Sequence, residues 1–140
     1  MKTFSKVPRV ALIAHDAQKD KLIEIAKQFK STLEQCVLCG TGTTAGRLNY
    51  EVGLNVEALL SGPMGGDQQI GAMVAQGDLD AVLFLRDPLC AQPHEPDISA
   101  LLRVCDLHKV ALGTNSTTAR WILRAIKEHL DHDEPLRPVD

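Results

Sequence analysis

Three groups of residues have the types and spacing for chemistry. The first is Ser61-Gly62-Pro63-Met64-Gly65-Gly66-Asp67, where three glycines and a proline crowd in front of a single acid. Glycine lets a backbone turn sharply and approach a ligand closely, and a helix starting at Asp67 offers unpaired N–H groups to an anion. A carboxylate beside an anion site would repel phosphate, but it is well placed to take a proton from the carbon skeleton that carries the phosphate. The second group is Gly42-Thr43-Thr44, whose backbone N–H groups and two hydroxyls at a helix start form a competent phosphate cradle. It has neither the glycine-lysine-serine/threonine of a P-loop nor the spacing of a dinucleotide fingerprint, and a capped strand-to-helix turn would look the same. The third group comprises His15, Asp16 and Lys19, with His94 in a proline-rich loop between Asp87 and Asp97. Together they suit a small phosphorylated carbonyl compound that loses a proton beside its carbonyl, the resulting enediolate being held by hydrogen-bond donors. Triosephosphate isomerase divides this labour between a glutamate and a histidine.

The elements that must position these groups alternate along the chain. Apolar runs at 10–14, 35–39, 56–60, 81–85 and 110–112 read as strands, and the run at 81–85 is apolar throughout, as a central strand buried on both faces requires. Between them lie helical patterns at 17–30, with Leu22, Ile25, Ala26 and Phe29 on one face, and at 45–51, 67–76 and 97–108. A last helix runs from a Thr114-Asn115-Ser116 cap to about Leu130, followed by a charged tail from 131 to 140 that reads as a surface arm. The expected fold is α/β: one domain over residues 1–140, with a doubly wound, mainly parallel five-stranded sheet and helices on both faces. Each polar group follows a strand, so all of them fall on the C-terminal edge of such a sheet, where ligands bind.

Bulk composition excludes several classes. With 140 residues, 44% hydrophobic and 24% charged, the chain reads as an ordinary soluble domain. A net charge of −3 disfavours nucleic acid as a partner. No apolar run approaches the ~18 residues of a membrane span, and Met1–Arg9 carries no apolar signal-peptide core. Cys36 and Cys39 form a C-x-x-C, but on a strand their side chains point to opposite faces, so they read as buried, reduced thiols in a cytoplasmic protein. His108, His129 and His132 read as surface residues, and His129 with His132 lacks a clear third ligand for a metal.

The segments AHDAQK (14–19), GTGTTAG (40–46), LSGPMGGDQQIGA (60–72), RDPL (86–89) and PHEPD (93–97) resemble the methylglyoxal synthase family, in register from about Val10 to Trp121. The resemblance implies conversion of dihydroxyacetone phosphate to methylglyoxal and inorganic phosphate, with no metal or organic cofactor. Carried over by motif, Asp67 would be the base that removes the C3 proton. His94 would polarise the carbonyl and shuttle protons, with Asp97 close by. His15, Lys19, Thr41, Gly42, Thr43, Thr44, Ser61 and Gly62 would hold substrate and its phosphate, and Asp16 and Asp87 would be supporting acids. The resemblance further implies a homohexamer inhibited by phosphate. It fades after Trp121, and Arg137 matches a basic C-terminal residue of the family by position alone, so no role is carried onto it. Two rival readings share these residues: a regulatory phosphate-binding module of the kind found in carbamoyl-phosphate synthetase, and a phosphosugar isomerase that retains the phosphate.

Overall fold

The computed structural model describes residues 7–132. Five strands, β1 (Arg9–Ala14), β2 (Val37–Thr41), β3 (Val56–Leu59), β4 (Ala81–Leu85) and β5 (Ala111–Gly113), pair in parallel in the order β3-β2-β1-β4-β5. Strand β1 is central: Val10 stands opposite Leu38 on one side and Ala81 on the other. Sequence order reverses between β1 and β4, which opens a crevice beyond their C-terminal ends.

The helices are α1 (Lys19–Gln28), α2 (Lys30–Leu33), α3 (Gly42–Arg47), α4 (Gly66–Ala75), α5 (Glu95–Leu107) and α6 (Ser116–His132). The two-residue period of β1 sorts the core into two halves. Val10, Leu12 and Ala14 face Leu22 and Ile25 of α1, Ala45 of α3 and Leu123 of α6. Ala11 and Ile13 face Ile70 and Val74 of α4 and Ile98, Leu101 and Cys105 of α5. The expected fold class is therefore the observed one.

Several boundaries differ from the sequence reading. The segment expected as one helix at 17–30 is a 3-10 turn at Asp16–Gln18, then α1, then α2, with a distortion at Phe29 (φ −110°, ψ 24°) that keeps its hydrogen bonds: Phe29 N–H donates to Ile25 O, and Leu33 N–H to Phe29 O. The helical path continues because Leu33, one turn past Phe29, is also buried. The turn closing α2 uses Gln35 and Cys36 as donors to Thr32 and Leu33, so the strand expected at 35–39 starts at Val37. Helix α3 begins three residues earlier than expected, runs into a π-helical turn at Leu48–Val52, and ends at Gly53 in the left-handed region (φ 82°). Pro96 lies in the first turn of α5, where its missing N–H costs nothing, so that helix starts at Glu95 rather than 97. Helix α6 takes in Asp131 and His132, which the sequence reading placed in the tail; the rest of that tail, with Arg137, lies outside the described residues. Cys36 packs on one core half and Cys39 in the other, so the C-x-x-C sulfurs are on opposite faces, and all four cysteines are free thiols.

Candidate active site

A cleft of about 490 Å³ opens at the C-terminal edge of the sheet, lined by His15, Asp16, Lys19, Thr41, Gly42, Thr43, Ser61, Gly62, Asp67, Asp87 and His94 among others. Eleven of the thirteen residues named from sequence thus meet in one space. Thr44 and Asp97 do not line it.

The glycine stretch is built as a tight double turn. Gly62–Met64 form a 3-10 turn, Gly65 takes φ 108°, and Gly66 opens α4. Met64 and Gly66 N–H groups both donate to Ser61 O (3.1 and 2.8 Å), which folds the loop back on itself. Only glycine fits at 66, where a Cβ would lie 2.0 Å from Leu60 O. The outcome is that Asp67, in the first turn of α4, is driven inward to 1% exposure.

His94 arrives from the other side as the residue that precedes α5, and its Nε2 lies 3.5 Å from Asp67 Oδ2. That is close enough for electrostatic attraction and too long for a strong hydrogen bond. Neither carboxylate oxygen of Asp67 has a hydrogen-bond partner. Burial pushes the Asp67 carboxyl above the ordinary carboxylate range; His94 pulls it down and the Asp97 charge pushes it further up. The buried acid is thus held as a stronger base than a surface aspartate.

His15 follows β1 and packs edge-on against Phe84 of β4, with ring centroids 5.2 Å apart, and against His94 at 6.3 Å. The Asp87 backbone N–H donates to His15 Nδ1 at 2.8 Å. Nδ1 is therefore an acceptor, which places the proton of the neutral ring on Nε2. Burial holds the His15 pKa below its usual value, with the charges of His94 and Arg86 adding to the effect. The ring is a neutral donor whose Nε2 has no protein partner.

Lys19 is the only lysine or arginine among the described residues lining the cleft, and it pairs with the exposed Asp16, whose carboxyl its hydrogen bond holds below the ordinary range. Gly42 N–H donates to Leu60 O at 3.4 Å, which ties the α3 turn to the glycine turn. Thr44, in the first turn of α3, is buried with its hydroxyl unpartnered. Asp97 accepts a hydrogen bond from Gln68 Nε2 at 2.9 Å. Gln68 escaped the sequence reading, as did Gln69, whose Oε1 accepts the Leu60 N–H at 2.9 Å, and Phe84, Cys90 and Gln92 in the cleft wall. The paired glutamines at the start of a helix were the visible signal; side chains on one turn can strap two neighbouring loops.

Comparison with known proteins identifies the family. Residues 21–114 match the family model described as "MGS-like domain". The chain is 59% identical over 116 residues to the methylglyoxal synthase of Burkholderia vietnamiensis, covering 83% of this chain and 89% of that one. Against the methylglyoxal synthase of Burkholderia multivorans the identity is 58% with the same coverage. The crystal structure of methylglyoxal synthase from Elizabethkingia anophelis superposes with a TM-score of 0.82 at 38% identity, covering 87% of this chain and 80% of that one. With a buried acid and two histidines on the switch-point edge of a matching fold, the chain belongs to the methylglyoxal synthase family of lyases.

Proposed function

We propose that the cleft converts dihydroxyacetone phosphate into methylglyoxal and inorganic phosphate, with Asp67 as base and His94 as the group that polarises the carbonyl and carries protons. The observation that carries this reading is the Asp67 carboxylate, 1% exposed, unpartnered at both oxygens and 3.5 Å from His94. A buried group with no hydrogen bond is costly unless a ligand supplies the missing partner at work.

The steps follow from the positions. Asp67 takes a proton from the hydroxyl-bearing carbon, and the electron pair delocalises onto the carbonyl oxygen. His94, and the neutral Nε2–H of His15, stabilise that oxyanion. The carbon–oxygen bond to phosphate then breaks, the electron pair leaving with phosphate, and the remaining enol takes up a proton at its terminal carbon to give methylglyoxal. Expulsion is easiest when that bond lies perpendicular to the enediolate plane. An isomerase must prevent this alignment and a synthase must hold it. In this reading Lys19, Thr41, Gly42, Thr43, Ser61 and Gly62 hold the substrate and its phosphate, and Thr44 supports the same turn from beneath. Asp97 raises the basicity of Asp67 rather than touching substrate. Asp16 steadies Lys19, and the Asp87 backbone sets the His15 tautomer.

Purified protein is expected to release methylglyoxal and phosphate from dihydroxyacetone phosphate without added metal. Phosphate binding without turnover would instead favour the regulatory module, and glyceraldehyde 3-phosphate as main product the isomerase. A homohexamer, inhibition by inorganic phosphate and a cytoplasmic location complete the proposal, supported by the family resemblance. Sedimentation, rates in added phosphate and cell fractionation test them in turn. No helix among the described residues is long and apolar enough to cross a membrane.

A further inference from the structure

Three of the four cysteines are poor nucleophiles. Cys39 and Cys105 are buried and Cys36 is half-buried, and burial pushes each thiol up to about 11, leaving little thiolate near neutral pH. Cys90 differs in place: it is exposed and lies in the wall of the cleft, in the loop between β4 and α5. An exposed thiol by itself marks nothing. This one shares its cleft with Asp67, 1% exposed and unpartnered at both carboxylate oxygens, and with His15, 8% exposed and unpartnered at Nε2. Those groups are disposed to bind a polar small molecule in the cleft. The product released there is an α-oxoaldehyde, an electrophile that thiols attack.

We propose that Cys90 is a product-responsive site, at which the thiol adds to the aldehyde carbon of the α-oxoaldehyde and the adduct blocks the cleft against further substrate. The step balances without a co-reactant. The Sγ–H bond breaks and an Sγ–C bond forms, while the carbonyl π pair moves to oxygen, which takes the proton to give a hemithioacetal. Nothing is oxidised or reduced, and the addition reverses as product falls. The loop is braced to keep the thiol in place: Leu89 N–H donates to Asp87 Oδ1 at 3.0 Å, Gln92 Nε2 to Cys90 O at 3.4 Å, and Gln92 N–H to Glu95 Oε1 at 3.1 Å. A braced thiol in the wall of the same cleft meets released product at a far higher local concentration than a free one. The inference rests on the proposed reaction, since a product without an aldehyde would not react.

Two measurements test it. In the first, initial rates of wild type and Cys90→Ser are recorded with increasing added methylglyoxal, each enzyme against its own rate without it. The concentration that halves the rate is expected to rise by about tenfold or more in Cys90→Ser, and wild-type inhibition is expected to reverse on dilution. Equal inhibition of both enzymes would overturn the proposal, whether it came from simple occupancy or from arginine adducts. The second needs no turnover, so it separates failure of this inference from failure of the proposed reaction. Alkylation of Cys90 by iodoacetamide, followed by peptide mass, is expected to slow in methylglyoxal and not in equal hydroxyacetone, which lacks the aldehyde. Equal protection by both compounds would leave only steric shielding and sink the idea.

Discussion

Replacing Gly62 by alanine tests the pairing of base and histidine more sharply than removing either. A Cβ on Gly62 would lie 2.8 Å from His94 Nε2, 3.4 Å from His94 Cδ2 and 3.5 Å from Asp67 Oδ1. Carbon and nitrogen in ordinary contact stand at about 3.4 Å or more, so the imidazole must retreat by about 0.6 Å. The backbone of Gly62 does not occupy the left-handed region, so alanine brings no conformational strain of its own. The whole effect therefore falls on the histidine, whose ring must leave the base and the position of the substrate carbonyl. Misplacement by about 1 Å costs on the order of 10²-fold, so Gly62→Ala is expected to lower kcat by roughly 10- to 100-fold with little change in Tm. The assay is steady-state methylglyoxal formation beside a thermal melt. Gly65→Ala is the companion: that glycine has φ 108° and open space around its Cβ position. It should therefore strain the backbone and lower Tm, with a smaller loss of kcat than Gly62→Ala. A Gly62→Ala enzyme within about twofold of wild type in kcat would refute the claim that His94 must stand where it does.

Asp67→Asn is expected to lose at least about 10³-fold in kcat and yet gain thermal stability at neutral pH. Burial raises the Asp67 pKa in the folded state, so its contribution to stability is fully present below the unfolded value and is lost as pH rises through the folded one. The gain in Tm should vanish in acid below the ordinary carboxylate range, and the acid limb of the wild-type rate profile should lie above that range; coincident melting curves at neutral pH would contradict the burial argument. Gln68→Met removes the amide that holds Asp97 and is expected to lower kcat by up to about tenfold, the scale of one lost charge-assisted hydrogen bond, with KM little changed. Combined with Asp97→Asn it should cost nothing further, and additive losses in this double-mutant cycle would show that Gln68 does not act through Asp97. Asn115 Oδ1 accepts the Thr118 N–H at 3.0 Å and so caps α6; Asn115→Ala should lower stability by about 1 kcal/mol, a drop of about 4 °C in Tm, and leave turnover unchanged.

Much of the candidate site was legible before any coordinates, because it rests on local properties. The two-residue and 3.6-residue periods of apolar side chains mark strands and helices without reference to the rest of the chain. Once the elements alternate, the polar groups after each strand must share an edge, whichever strands are neighbours. That is why His15, Thr43, Ser61, Asp67 and His94 were expected together and are found lining one cleft. Boundaries were less legible where local and tertiary demands compete, as at Phe29, where the helix continues because Leu33 finds the core.

What only the tertiary structure decided is which groups touch. The adjacency of β1 and β4, which sets His15 edge-on against Phe84 and within 6.3 Å of His94, depends on pairing between segments far apart in the chain. The same holds for the 3.5 Å approach of His94 to Asp67, the hydrogen bond from Gln68 to Asp97 that joins the first turns of α4 and α5, and the exclusion of Thr44 and Asp97 from the cleft wall. Residue types and periods determine that an acid, two histidines and a glycine-threonine turn share one edge of the sheet. Distance, burial and the absence of a partner lift the pKa of one of those acids above the ordinary carboxylate range. They are properties of packing, and no residue carries them alone.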